Sequence, residues 1–167
     1  SNFRTNTAIE RVDLSYNRLS GGIPVFQNLS RLTHLYLNNN QYTSLLGSFQ
    51  NLSSLQYFYA NNNQISGTIP SFAQCPALIY LILFNNLLTS YTTGSFSTLY
   101  RLRFLDLSNN QLTQQALNAI INDLYINYNA VKRTGVTVNL RSNSGVPSGT
   151  AIDQITFLRS KSWSITY

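Results

Sequence analysis

The chain has 167 residues, 43% apolar and only 10% charged, with a formal net charge of +6. That length suits one domain, and no apolar run approaches the roughly 20 residues of a membrane span. One histidine, one cysteine and five scattered acids leave no ligand set for a metal and no internal disulfide, and the dispersed basic residues argue against a nucleic-acid track.

Ser1–Thr7 is short and polar, unlike a signal peptide, and residues 1–8 are read as a lead-in. The chain does not begin with Met, so it is read as a processed or excised piece of something longer. From Ile9 a pattern begins: Ile9, Val12, Leu14, Asn17 and Leu19. It returns as Leu32, Leu35, Leu37, Asn40, Tyr42 and then as Leu55, Phe58, Ala60, Asn63, Ile65. Leu78, Leu81, Leu83, Asn86, Leu88 and Leu102, Leu105, Leu107, Asn110, Leu112 complete it. The starts lie 23 residues apart, with one step of 24. A second half recurs in step: Phe26 and Leu29, Phe49 and Leu52, Phe72 and Cys75, Phe96 and Leu99. Alternation in the first half of each unit reads as a half-buried strand. Cys75 stands where other units have leucine, so it reads as a small buried hydrophobe rather than a reactive thiol.

These residues spell L-x-x-L-x-L-x-x-N-x-L, and by them the chain is identified as a member of the leucine-rich repeat family. The resemblance implies an α/β fold: a short horseshoe solenoid with a parallel sheet on its concave face. The repeats cover 9–112, and 113–167 is read as degenerate repeats and a helical C-terminal cap. Ser20-Gly21-Gly22-Ile23-Pro24 and Ser66-Gly67-Thr68-Ile69-Pro70 resemble the L-x-G-x-I-P segment of plant-type repeats, whose return path is a short extended or 3₁₀ segment. Extracellular plant and animal repeats usually carry cysteine-paired caps, and a single cysteine argues against that kind of protein. Asn28-Leu29-Ser30 and Asn51-Leu52-Ser53 match glycosylation sequons, but they also sit at one point of the repeat, and register explains them.

Past Leu112 the period changes. Thr113 is a candidate N-cap, and Leu117, Ile120, Ile121, Leu124 and Tyr128 predict a helix over about 114–128 on the convex side. Thr137–Asn139 with Asn143 reads as a sixth, degenerate repeat. Thr150 and Asp153 suggest a capping box for a second helix to about Lys161, and Trp163, Ile165 and Tyr167 alternate as a last strand. The run 135–167 is similar to caps of bacterial and phage leucine-rich-repeat proteins.

Function is sought on the outward strand positions. One column reads Arg11, His34, Tyr57, Tyr80, Phe104, Thr137; the next Asp13, Tyr36, Tyr59, Ile82, Asp106, Asn139; Phe84 lies at the edge of a third. The predicted ligand-binding residues are His34, Tyr36, Tyr57, Tyr59, Tyr80, Ile82, Phe84, Phe104 and Asp106. An exposed aromatic patch with a charged rim has the make-up of a binding hot spot. The asparagine column Asn17 to Asn143 is read as structural, serving backbone groups in the turns, while Asn39, Asn62, Asn85 and Asn109 are candidates for contact with ligand or sugar hydroxyls. Catalysis finds no constellation: His34 has no nucleophile in reach, and Asp13 and Asp106 stand roughly 19 Å apart by strand spacing.

The expectation is a non-enzymatic module without cofactor, extracellular or on a virion surface. It would bind a protein or surface glycan, as a phage tail-fibre tip or bacterial adhesin does, with no nucleic acid and no membrane insertion. A structural virion or assembly subunit, or the repeat module of a bacterial effector, remains open.

Overall fold

Each of the first four turns of the chain places two short strands on opposite sides of one core. The computed structural model describes residues 8–45 and 49–167; of the lead-in, Ser1–Thr7 lies outside the described residues. The turns contribute β1 (Arg11–Asp13) and β2 (Ser20–Gly22), β3 (His34–Tyr36) and β4 (Gln41–Ser44), β5 (Tyr57–Tyr59) and β6 (Ser66–Ile69), β7 (Tyr80–Ile82) and β8 (Leu87–Tyr91), then β9 (Phe104–Asp106). The cap adds α1 (Gln114–Val131), β10 (Thr137–Asn139), α2 (Thr150–Ser160) and β11 (Ser164–Thr166).

Seven strands form a parallel sheet in the order β1-β3-β5-β7-β9-β10-β11. The return paths form a second parallel sheet, β2-β4-β6-β8. The extended return predicted from Gly-x-Ile-Pro is thus paired from turn to turn, which period alone does not reveal. Gly67 marks a register shift in β6 and has φ +85°, a conformation that an L side chain adopts only with strain.

Between the sheets lie the leucines of the repeat and a line of phenylalanines. Phe49 and Phe72 rings are 4.5 Å apart, Phe58 and Phe72 5.7 Å, and Phe72 and Phe96 6.5 Å. The first turn is looser: Leu14 is half-buried and Leu19 is 39% exposed. No described turn covers its outer side, whereas turns two to five are each stacked between two neighbours.

The asparagine column ties turn to turn. Asn86 Nδ2 donates to Ala60 O and Leu83 O, each at 3.0 Å, and its Oδ1 accepts from Ile65 N at 3.0 Å. Asn40, Asn63, Asn110 and Asn143 make the same pattern one step along. The preceding residue of each turn has a left-handed backbone: Tyr16, Asn39, Asn62, Asn85, Asn109 and Ser142 have φ between 51° and 58°. Asparagine tolerates that conformation because its short side chain bonds locally. Asn62 and Asn85 donate to Asn39 and Asn62 respectively. Asn39, Asn62 and Asn85 therefore have a conformational reason for being asparagine before any ligand is considered. Asn28 and Asn51 share both features, with φ of 70° and 60° and Asn51 Nδ2 donating to Asn28 Oδ1 at 2.8 Å, as repeat register demands.

In the cap, Thr113 is the N-cap of α1 and its hydroxyl accepts from Ala116 N. The helix runs three residues past the predicted end, closing on Lys132 in the left-handed region. The capping box is not formed: Thr150 is already helical, Gly149 is the N-cap, and no side chain caps the end. Gly145 is required by close approach, since a Cβ there would lie 2.1 Å from Gln114 N.

Burial leaves a signature in pH. The Cys75 thiol, fully buried and 3.5 Å from Phe49 O, is pushed up from 9.0 to about 12 by desolvation. Burial, and then Asp123, push the Tyr91 phenol up from its ordinary 10.0. Above these ordinary values the unfolded chain has released protons that the folded chain keeps, so stability falls as pH rises. The urea midpoint should decline between about pH 8 and about pH 11, and Cys75→Ala should flatten the early part. A midpoint constant over that range would contradict the burial of both groups.

Candidate functional site

The sheet register sets the outward residues side by side. Arg11, His34, Tyr57, Tyr80, Phe104 and Thr137 are direct neighbours across β1, β3, β5, β7, β9 and β10. Their rings stack: His34 on Tyr57 at 4.5 Å and 13°, Tyr57 on Tyr80 at 5.3 Å and 15°, Tyr80 on Phe104 at 6.1 Å and 25°. In the next column Tyr36 and Tyr59 lie 5.1 Å apart and tilted, and the Arg11 guanidinium sits 4.7 Å above the Tyr36 ring.

Stacking has a cost in exposure. The ladder residues are half-buried rather than open to solvent, because each ring covers its neighbour's face. Ile82 departs furthest from the sequence reading: it points outward in register between Tyr59 and Asp106 but is only 8% exposed. Its neighbours leave it as a floor rather than a contact surface. Tyr59 is covered enough that burial, and then the neighbouring tyrosines, push its phenol up.

Beside the ladder is a groove of about 560 Å³. Of the predicted site residues, Tyr59, Tyr80, Ile82, Phe84, Phe104 and Asp106 line it. His34, Tyr36 and Tyr57 do not; they continue the aromatic surface to one side. Asn38, Asn61 and Tyr16 were not among the predicted site residues, and they line it too. Tyr16 is 79% exposed. It occupies the left-handed position that four later turns give to asparagine, where a bulky residue is an outlier. That column comparison was its available signal.

The two aspartates of the rim have local duties. Asp13 accepts from the Ser15 hydroxyl at 2.6 Å, from Ser15 N and from Arg11. The Ser15 hydroxyl chiefly holds its carboxyl below the usual range; burial opposes it, and Ser15 N and Arg11 add to the lowering. Asp106 holds Ser108 in the same way and accepts from Asn139. Each fixes the turn after its strand, and neither is paired with the other. The His34 ring bonds Thr33 through Nδ1 at 2.8 Å. Among the described residues no group of three or more His, Cys, Asp or Glu could hold a metal ion.

A stack of similar turns, with a groove along its seven-stranded sheet, defines a ligand-binding solenoid. The family comparison is specific: the leucine rich repeat pattern matches residues 7–65 and 70–112, with a further match at 101–124, and the chain belongs to the leucine-rich repeat family. Repeats of this family are generally non-enzymatic interaction modules. No curated protein matches by sequence. Among solved structures the chain is similar to the ectodomain of the plant membrane receptor kinase GASSHO1/SCHENGEN3 from Arabidopsis thaliana, in complex with CASPARIAN STRIP INTEGRITY FACTOR 2. Identity there is 24% and the TM-score 0.66, over 95% of this chain and 21% of that one. It is also similar to the plant peptide hormone receptor RGFR1 in complex with RGF2, at 25% identity and TM-score 0.63, over 86% of this chain and 26% of that one. An internalin from Listeria monocytogenes gives 21% and 0.59, over 96% and 48%. The chain thus spans about a fifth to a half of the structures it resembles. Among the described residues no helix is long and apolar enough to cross a membrane.

Proposed function

We propose that this solenoid is a non-enzymatic recognition module whose ligand is a protein segment lying in the concave groove against the aromatic ladder. The observation that carries the reading is the stacking itself. A sugar packs its C–H face on an exposed ring face, whereas here the facing surfaces of four consecutive rings cover one another. What remains for a ligand is ring edges and the phenol groups of Tyr57 and Tyr80, which have no hydrogen-bond partner among the described residues. Edges and hydroxyls suit apolar side chains and backbone amides, the chemistry of tyrosine-rich binding faces. The similar receptor RGFR1, solved with RGF2, supports a protein ligand over a glycan. The setting we favour is extracellular surface recognition, on a phage tail-fibre tip or a bacterial adhesin. It is supported by a surface carrying one glutamate and two lysines, with Asn, Ser, Thr and Tyr in their place.

Labelled protein should bind bacterial cells strain-selectively, and binding should disappear in the Tyr57→Ala/Tyr80→Ala variant and after protease treatment of the cells. The variant should still unfold cooperatively, about 1–2 kcal/mol less stable for its lost stacking. Binding that survives protease but not periodate would return the glycan. A variant that binds unchanged would displace the site, and self-association without cell binding would favour a structural subunit.

A further inference from the structure

Three arginines meet where the fifth repeat joins the cap. Arg101 and Arg103 bracket Leu102 at the entry to β9, and Arg133 lies in the loop after α1. The two segments cross-bond: Arg103 Nη1 donates to Thr134 O at 2.9 Å, and Arg133 Nε donates to Tyr100 O at 2.8 Å. The Trp163 indole N–H donates to Arg133 O at 2.8 Å and fixes the loop from the other side. Arg103 and Arg133 are thereby anchored through one N–H each. Their other N–H groups, and the whole Arg101 guanidinium, have no protein acceptor among the described residues.

Among the described residues no acid forms an ion pair with any of the three. The ion pairs among the described residues, Arg11–Asp13 and Arg31–Glu10, both lie in the first two turns. The Arg133 guanidinium is held below its usual range by partial burial and then by the charges of Arg103 and Arg101, so the three lie within electrostatic reach of one another. Holding like charges together without a counter-charge works against folding. Such a cluster fits a ligand that supplies the counter-charge.

We infer that this seam is an oxyanion site, taking a sulfate or phosphate monoester group of a ligand. Guanidinium forks match tetrahedral oxyanions through paired N–H donors, and backbone anchoring leaves the remaining donors directed and charged. The three arginines come from two cross-bonded segments at one seam rather than from a row along a face, which fits one anionic group and not the row of phosphates of a nucleic acid. It stands apart from the groove reading, because none of the three arginines lines the groove.

The arginine Nε–H signals can be followed by NMR while sodium sulfate or sodium phosphate replaces chloride at constant ionic strength. Saturable shifts confined to Arg101, Arg103 and Arg133 are expected, with affinity about tenfold weaker in Arg101→Gln. Arg101 is exposed and its guanidinium makes no hydrogen bond among the described residues, so that variant tests binding without disturbing the fold; Tyr80→Ala should leave the affinity unchanged. A phosphate affinity that drops from about pH 8 to about pH 5, with sulfate unmoved, is the expected contrast between the anions. Tighter sulfate at every pH would assign a sulfate ester, and tighter phosphate at high pH a phosphate ester. Absence of saturation by about 50 mM, or shifts shared by all basic residues, would overturn the site. So would tighter binding of an oligonucleotide with a salt slope of several ions.

Discussion

Asp123→Ala should cost about 3 kcal/mol and release the cap before the repeats unfold. Asp123 lies on α1 and is 1% exposed. Its carboxyl accepts from the Tyr91 hydroxyl at 2.5 Å and from Phe96 N at 3.2 Å. One turn on, Asn127 donates to Phe96 O at 3.2 Å and Ser97 O at 3.3 Å. The i, i+4 pair grips the loop after β8, so the seam between helix and solenoid is polar although its surroundings are apolar. Alanine leaves the buried Tyr91 hydroxyl without an acceptor and opens a void, and a polar group stranded this way costs more than its bond contributed. Tyr91→Phe breaks the same node, so the double variant should cost clearly less than the sum of the two. Hydrogen exchange in Asp123→Ala should accelerate through α1 and α2 while the asparagine-tied turns stay protected. A loss below about 1 kcal/mol, or exchange rising uniformly along the chain, would show that the node does not hold the cap.

That node shows where sequence reasoning stops. In the repeats, position along the chain and position in space are nearly the same thing, since each turn contacts only its neighbours. The leucines, the asparagine column, the left-to-right order of the ladder and even the sixth strand with Asn143 could therefore be read from spacing. Asp123 has no such relation to Tyr91, and the one hint was an acid set among Ile120, Ile121 and Leu124 in the apolar stripe of α1. The ring planes were equally hidden. Register makes Tyr57 and Tyr80 neighbours, but only rotamers decide that their faces meet and that they end half-buried. Ile82 was read as exposed because alternation reports direction, not what neighbouring side chains cover. The three arginines are 32 residues apart in sequence at their extremes and are gathered by the loop that Trp163 pins, which composition could only record as scattered charge. Thr150 was misread as a cap by a pattern whose turn the preceding Gly149, at φ +54°, places differently.

Asn86→Ala should be among the most damaging single changes in the solenoid, at about 3–5 kcal/mol, although it removes no apolar contact. Asn86 is 5% exposed and sits near the middle of the stack. Without it, the buried Ile65 N–H loses its acceptor and Ala60 O and Leu83 O lose a donor. Water cannot replace these partners, since Ile65, Ala60 and Leu83 are all fully buried. The loss also falls on the coupling between turns three and four, and in a repeat array that coupling is what makes unfolding cooperative. The denaturant transition of Asn86→Ala should therefore broaden as well as shift. Asn17→Ala provides the contrast: Asn17 is exposed and, among the described residues, its side chain bonds only Leu14 O and Ser15 O within its own turn, so its loss should stay near 1 kcal/mol. Asn86→Asp separates the two halves of the role. It keeps an acceptor for Ile65 N but sets carboxylate oxygens against two carbonyls, so it should be strongly destabilising at neutral pH. Protonation restores a donor, and its stability relative to Asn86→Ala should rise on acidification through the ordinary carboxyl range, about pH 4. If Asn86→Ala and Asn17→Ala prove equally mild, the asparagine column is a relic of register rather than the tie between turns.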